Sequence, residues 1–526
     1  MPSRRPSLPL PPPEAKTLIK KFIIEGANLL TVADFEPILS QFRDKELSMT
    51  DLKKAADNIT RLYRWKGYLT SLAYVPAQEI ADNTVVFKVV EGRVGDIKVE
   101  EPKHSKIGNI EKRFLIEKGQ ILNSQKMEAS LRRINRQPDR VMRAVLAPGT
   151  TPETSDILLK VEKERSRHHF SMELNDRGTK STGIMRWGLG YTNTNLLGND
   201  DILSVKFLAN NKAKVHSESV MYDMPVSRYN TRVGGYIAHS KANIAGQFAV
   251  LSPEGTGEFW GLYVSHPWLD KEFFDDTTTS PLRLEGTVTA GFDSISVRNK
   301  IMKRETSHDE LRVFKAGVGF EESDNAGRAT VTGEVYAGFP HFLGSMGVHE
   351  KRASRVDAGG QFRKYVGSVT RVTPLPGSMA LITSAKGQAT PHNLVNSEQM
   401  AFGGADTIRG FPESDFLADY GWMSTAELHL PPFMLPSVLK VPFDKKHTAL
   451  TDAVQLVLFL DIGEGFLNNP RTGELPHKYL VGSGFGFRSN LYDHLSTRLD
   501  IGFPTGGERP SDHSSFTAHF GLEYGW

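Results

Sequence analysis

Two periods of apolar residues divide the chain. Up to about residue 165 they recur as in small α/β modules. Residues 20–26 read as a short strand, and Thr31, three positions before Asp34, opens a helix reaching about Phe42. Thr50 caps a second helix with Leu52, Ala55, Ala56, Ile59, Leu62 and Tyr63 on one face and Gly67 at its end. Strands follow over 70–76 and 84–92. The same order then recurs more loosely. A strand over 95–100 precedes a helix after Lys106. Ser124 opens another helix, with Met127, Leu131 and Ile134 on one face, and strands close the unit over 140–149 and 155–164. The repeat reads as a duplicated module, over residues 19–92 and 93–165.

From about Ser166 the helical period vanishes and a period of two replaces it. Phe516, Ala518, Phe520, Leu522, Tyr524 and Trp526 alternate with Thr517, His519, Gly521, Glu523 and Gly525. Val454, Leu456, Leu458, Leu460 and Ile462 alternate with Gln455, Val457, Phe459, Asp461 and Gly463. Leu495, Thr497, Leu499, Ile501 and Phe503 alternate with Ser496, Arg498, Asp500 and Gly502. A soluble sandwich alternates too, but these runs approach the roughly 9–11 residues of a membrane-spanning strand. Their second faces carry Arg and Asp, which suit a wet lumen better than a packed core. Residues 166–526, at about 22 per strand and connection, make about 16 strands, the even number of a bacterial barrel. The expected fold is therefore a membrane β-barrel of about 16 antiparallel strands, preceded by two small α/β domains.

Composition narrows the function classes. The 526 residues carry 24% charged side chains and a net charge of +3, without the basic cluster of a nucleic-acid-binding protein. There is no cysteine, which excludes disulfides, cysteine–zinc sites and thiol catalysis. No apolar run reaches the length of a membrane helix, and the mean hydropathy of −0.34 does not separate a soluble protein from a barrel with a polar lumen. The sixteen histidines form no H-E-x-x-H, and no G-x-S-x-G elbow occurs, so no enzyme, metal or cofactor is expected. His168-His169 reads as an interfacial or turn pair. The internal "HDEL" at 308–311 cannot be a C-terminal retention signal. Residues 1–18 form a Pro-rich linker with no apolar core of a signal peptide.

One stretch stands out, "DTIRGFPESDFLADYGW" at 406–422, with a cation beside a glycine and an aromatic and then the acids Glu413, Asp415 and Asp419. The acids read as an exposed or lumenal run rather than a cation site. Ile408-Arg409-Gly410-Phe411 and the later Phe459-x-Asp461-x-Gly463 resemble two motifs of the outer-membrane transporters of two-partner secretion, the TpsB or hemolysin secretion/activation family. "LSMTDLKKAADNITRLYRWKGYLTSLAYVPAQEI" with "VFKVVEGRVGDIKV" resembles that family's first POTRA domain. "AVLAPG" and "SDILLKVEK" resemble the second, and "ELNDRGTKSTG" with "NTNLLGNDDIL" the first barrel hairpin.

The resemblance covers nearly the whole chain. It implies a long sixth loop, around 391–425, folded into the lumen so that Arg409 meets Asp461. Phe520, Leu522, Tyr524 and Trp526 match the aromatic C-terminal assembly signal of outer-membrane proteins. The implied activity is export of an unfolded hemolysin- or hemagglutinin-like partner exoprotein, bound by periplasmic POTRA domains and passed through the barrel. Implied partners are that TpsA-like exoprotein, outer-membrane lipid, and periplasmic chaperones with the barrel-assembly machinery during biogenesis. No nucleic acid is expected, and a monomer is the default. A barrel-assembly insertase of the same superfamily and a passive porin are the alternatives. The family is delivered by a signal peptide that this sequence lacks, and some relatives carry an N-terminal plug helix for which residues 1–18 are too short and Pro-rich.

Overall fold

A computed structural model describes residues 15–210, 214–243, 252–273, 282–431, 453–492 and 494–526. The chain divides into two compact units, Met1–Glu164 and Arg165–Trp526. Most of the Pro-rich segment, residues 1–14, lies outside the described residues.

The first unit holds two modules of one topology. In the first, strand Lys21–Glu25 runs parallel to Thr84–Val90, which pairs antiparallel with Leu72–Tyr74. In the second, Arg93–Val99 runs parallel to Thr154–Glu164, which pairs antiparallel with Arg140–Pro148. Each sheet is packed by two helices, Val32–Leu39 with Met49–Trp65, and Ile107–Arg113 with Ser124–Ile134.

The helix edges differ from expectation. The first helix stops at Leu39 rather than Phe42. An unforeseen strand, Lys45–Leu47, pairs with Thr17–Ile19, and the chain reaches it by reversing at Asp44, where φ is 58°. Ser48, not Thr50, caps the second helix. Its Oγ accepts from Asp51 N at 3.3 Å while the Asp51 carboxylate accepts from Ser48 N at 3.1 Å, closing a reciprocal pair three residues apart. Leu52, Ala55, Ala56, Ile59 and Tyr63 are buried as their spacing requires, and Leu62 is half-buried.

The buried Glu91 carboxylate ties this module together. It accepts from Asn28 N and Leu29 N at 2.8 Å each and from the Tyr63 hydroxyl at 3.0 Å. Burial, then the bond to Glu91, pushes the Tyr63 phenol above its ordinary pKa. Tyr63→Phe is expected to cost the module about 1.5–3 kcal/mol, the scale for a hydrogen bond to a charged group. The readout is a lower urea midpoint of the far-UV helical signal, because all four α-helices among the described residues lie in this unit.

The second unit is a closed barrel of sixteen antiparallel strands, from His168–Asn175 to Thr517–Gly525. Alternation sorts its faces. Along Val454–Phe466, Leu458 and Leu460 are 45% and 43% exposed on the outer wall, while Val457, Phe459 and Asp461 are buried toward the lumen. Three neighbouring strands, Glu254–Phe273, Leu282–Ile301 and Arg304–Asp324, reach 20–21 residues, about twice the expected length.

Candidate functional site

Between strands Met379–Ala389 and Tyr420–Leu430, residues 390–419 turn into the barrel. Residues 420–425, expected in the loop, belong to the wall. The loop builds its own small core. A hairpin pairs Met400–Phe402 with Phe416–Ala418, and Ile408 and Phe411, both fully buried, pack with Phe402 and the wall residue Leu480.

At the loop's tip Arg409 is 2% exposed. Its Nε donates to Asp461 Oδ2 at 2.7 Å and its Nη2 to Asp461 Oδ1 at 2.8 Å, the parallel fork a guanidinium makes with a carboxylate. Its backbone N–H donates to the same carboxylate at 3.0 Å. The guanidinium carbon sits 3.5 Å from the centroid of the Phe459 ring, a cation–π contact removed from water. Nη1 donates to Glu427 and lies 3.7 Å from Asp500 Oδ2. Asp500, fully buried, also accepts from Arg488 Nη1 and Arg498 Nε at 2.6 Å each. Three guanidiniums thus face three carboxylates, with Asp406 3.3 Å from Arg498 and His429 3.0 Å from Glu427 at the edge of the cluster.

The two sequence motifs meet residue by residue. On the strand Val454–Phe466, Phe459 lies under the guanidinium, Asp461 takes its fork, and Gly463 leaves room for Ile408, whose Cδ1 would lie 2.7 Å from a Cβ there. Close approach governs two other glycines. Gly410 has φ +96° and packs on the backbone at Phe503, where a Cβ would stand 2.7 Å from the carbonyl carbon. A Cβ on Gly482 would fall 1.8 Å from Arg409 O. Gly482→Ala is therefore expected to expel the tip from its seat with the barrel still closed. The check is new trypsin cleavage at Arg409 in membranes, with heat-modifiable migration unchanged; a protected loop would show that the backbone tolerates the methyl.

The acids of the opening stretch take protein partners. Asp415, whose side chain is fully buried, pairs with Lys478 and accepts from Ser511 N at 2.9 Å. Glu413 accepts from Ala405 N at 2.9 Å, and burial, more than any neighbour, holds its carboxyl above the usual range. Asp419 is fully buried and binds Arg355, Leu394 N at 3.0 Å, Gln399 Nε2 at 3.1 Å and Asn468 N at 2.7 Å. Arg355 precedes the strand Phe362–Leu375 and Asn468 follows Val454–Phe466, so one carboxylate joins three loops.

Sequence reasoning singled out neither Glu427, Arg488 and Arg355 nor the anchoring role of Asp419. Arg498 and Asp500 were legible only as inward-facing positions. The C-terminal aromatics lie at the seam with the first strand. Leu522 stands opposite Leu174, Tyr524 opposite Met172, and Trp526 stacks on Phe170 at 5.6 Å. His168 opens that first strand rather than a turn, its Nδ1 2.9 Å from the Tyr191 hydroxyl. Beside the loop, a cavity of 680 Å³ is lined by Arg186, Lys206, Leu208 and Phe259 of the wall and by Asn396 and Ser397 of the loop.

The model of the haemolysin secretion/activation proteins ShlB/FhaC/HecB matches residues 153–489, and that of the ShlB-type POTRA domain matches residues 17–92. Heme/hemopexin transporter protein HuxB of Haemophilus influenzae is 24% identical over 431 residues, covering 79% of this chain and 73% of that protein. Outer membrane transporter CdiB of Escherichia coli is 23% identical over 499 residues, covering 92% and 78%. Among solved structures, CdiB from Escherichia coli superposes with a TM-score of 0.72 at 20% identity over 99% of this chain and 93% of that one. BamA from Haemophilus ducreyi lacking POTRA domains 1–3 gives 0.55 at 12% identity, over 97% and 100%. At these identities the solved structures speak for the fold alone.

Proposed function

Since the chain belongs to the haemolysin secretion/activation protein family ShlB/FhaC/HecB, we propose that it exports one large partner exoprotein, bound unfolded by its α/β modules in the periplasm. It is an outer-membrane transporter of two-partner secretion, with POTRA domains ahead of a β-barrel. The cargo is hemolysin- or hemagglutinin-like and remains extended until it leaves the barrel. Exposed sheet edges of the modules suit such a chain, because main-chain hydrogen bonds grip it without demanding one sequence. Folding of the cargo outside the cell makes export one-way. The chain acts as a monomer, and chaperones with the assembly machinery deliver it to the membrane, where the C-terminal aromatics serve as the assembly signal.

The observation that carries this reading is loop six held inside the barrel by Arg409 and Asp461, in a chain whose residues 15–164 form two strand-edged modules. A passive porin has no use for those modules. The test is co-production with a candidate exoprotein, sought first among the genes next to this one, measuring cargo in the medium. Secretion that depends on this chain is expected. Cargo retained in the periplasm, together with falling levels of other barrel proteins when the chain is removed, would replace the transporter by an insertase.

A further inference from the structure

The outer wall changes character at one level across strands Val215–Pro225, Arg232–Asn243 and Glu254–Phe273. Val220, Ile237 and Trp260 stand side by side in register and are 37%, 61% and 43% exposed, an apolar row facing lipid. The next outward row, two residues along each strand, is Glu218, His239 and Glu258. One step further, His216 stands beside Lys241.

Within this belt, one ligand atom from each of His216, Glu218 and His239 lies within 4.8 Å of the other two. The convergence follows from pairing. Glu218 is directly opposite His239, and His216 is two residues away on the same face of its strand. The two imidazoles already approach, with ring centroids 6.3 Å apart. Among the described residues, no hydrogen bond or ion pair engages any of the three side chains, although most carboxylates of the lumen are paired.

We propose that His216, Glu218 and His239 form a binding site for a divalent transition metal of the zinc class, on the outer face of the barrel at the edge of its apolar band. Two imidazoles and one carboxylate are the donor set of open zinc sites, which leave a fourth position to water. A tetrahedral ion with bonds of about 2.0–2.2 Å needs its ligand atoms about 3.3–3.5 Å apart. Partly exposed side chains close the remaining gap by rotation about their own bonds. Imidazole donors select zinc, copper or nickel over magnesium and calcium, which prefer oxygen. Glu258, next in the row, offsets the second positive charge of the ion. Bound metal would clamp two neighbouring strands at their outer ends.

The test is zinc competition against a chromophoric chelator, with untagged protein refolded in detergent. One zinc per chain is expected, not displaced by millimolar magnesium or calcium, and weakened at least about tenfold in a His216→Ala/His239→Ala variant that keeps heat-modifiable migration. Unchanged affinity in that variant would assign the metal to other histidines and overturn the site, as would displacement by calcium. Copper added to the unaltered protein is the second measurement. Two-nitrogen hyperfine coupling in its paramagnetic resonance spectrum is expected, and its absence rejects the site even if the variant fails to fold.

Discussion

An Arg409→Ala protein is expected to insert and close its barrel yet release about tenfold less cargo, or less still, than the unaltered chain. The guanidinium is buried among Asp461, Glu427 and Asp500 and lies over Phe459. Removing it leaves one negative charge in excess and Asp461 without its cation, a loss of about 3–5 kcal/mol where one partner of a buried pair is deleted. Sixteen strands hold the wall without it, so the loss falls on the loop's seat. Arg409→Lys should rescue little, because one ammonium cannot span both Asp461 oxygens and stack on the ring. Arg409→Asp should be worse than alanine, since it puts a fourth carboxylate where three already stand. Adding Asp461→Arg to it should recover only part of export, because Glu427 and Asp500 stay in place. Cargo in the medium and heat-modifiable migration are the two readouts. Wild-type secretion by Arg409→Ala would reduce this residue to an ordinary loop arginine.

Asp419→Ala should have the second large effect, at the mouth of the barrel rather than its middle. The carboxylate holds Arg355 of one loop, Leu394 N and Gln399 of the loop-six segment, and Asn468 N of a third loop. Its loss leaves the nearly buried Arg355 guanidinium, still bonded to Asn468 O at 2.6 Å, without its counter-charge and frees two backbone N–H groups, each of the latter costing about 1–3 kcal/mol if left unpaired. The three loops should part, giving several-fold higher single-channel conductance in planar bilayers and new trypsin cleavage at Arg355. Asp419→Asn, which keeps the shape and removes the charge, should lie between the two. Conductance and cleavage like the parent's would show that the loops are held by other contacts.

The wall was the most legible part of this chain. A strand with lipid on one side and lumen on the other must alternate, so Leu458 and Leu460 could be told from Phe459 and Asp461 without a structure. The 20–21-residue strands were not legible, because beyond the bilayer a strand owes nothing to lipid and its composition stops reporting its length. Thr50 and Ser48 compete as caps within three positions, and only the partner carboxylate of Asp51 decides. Arg409 and Asp461 were reached through resemblance and confined by alternation. Glu427 and Arg488 come from strands whose register with that pair is a property of the closed barrel, not of any one segment. Asp419 finds Arg355 across 64 residues and Asn468 across 49, separations at which local pattern says nothing.

The loop-six cluster draws its wall residues from four consecutive strands, those holding Glu427, Asp461, Arg488 and Asp500. The Arg409 mooring thus takes up one quarter of the circumference, while other residues of the same loop reach further round, Leu394 and Val395 packing with Leu311 and Val313 and Glu398 pairing with Lys364 at 2.7 Å. An obstruction anchored at several points round the wall is braced like a strut rather than hinged like a door. Losing the Arg409 mooring therefore swings the loop about its remaining anchors rather than releasing it from the wall.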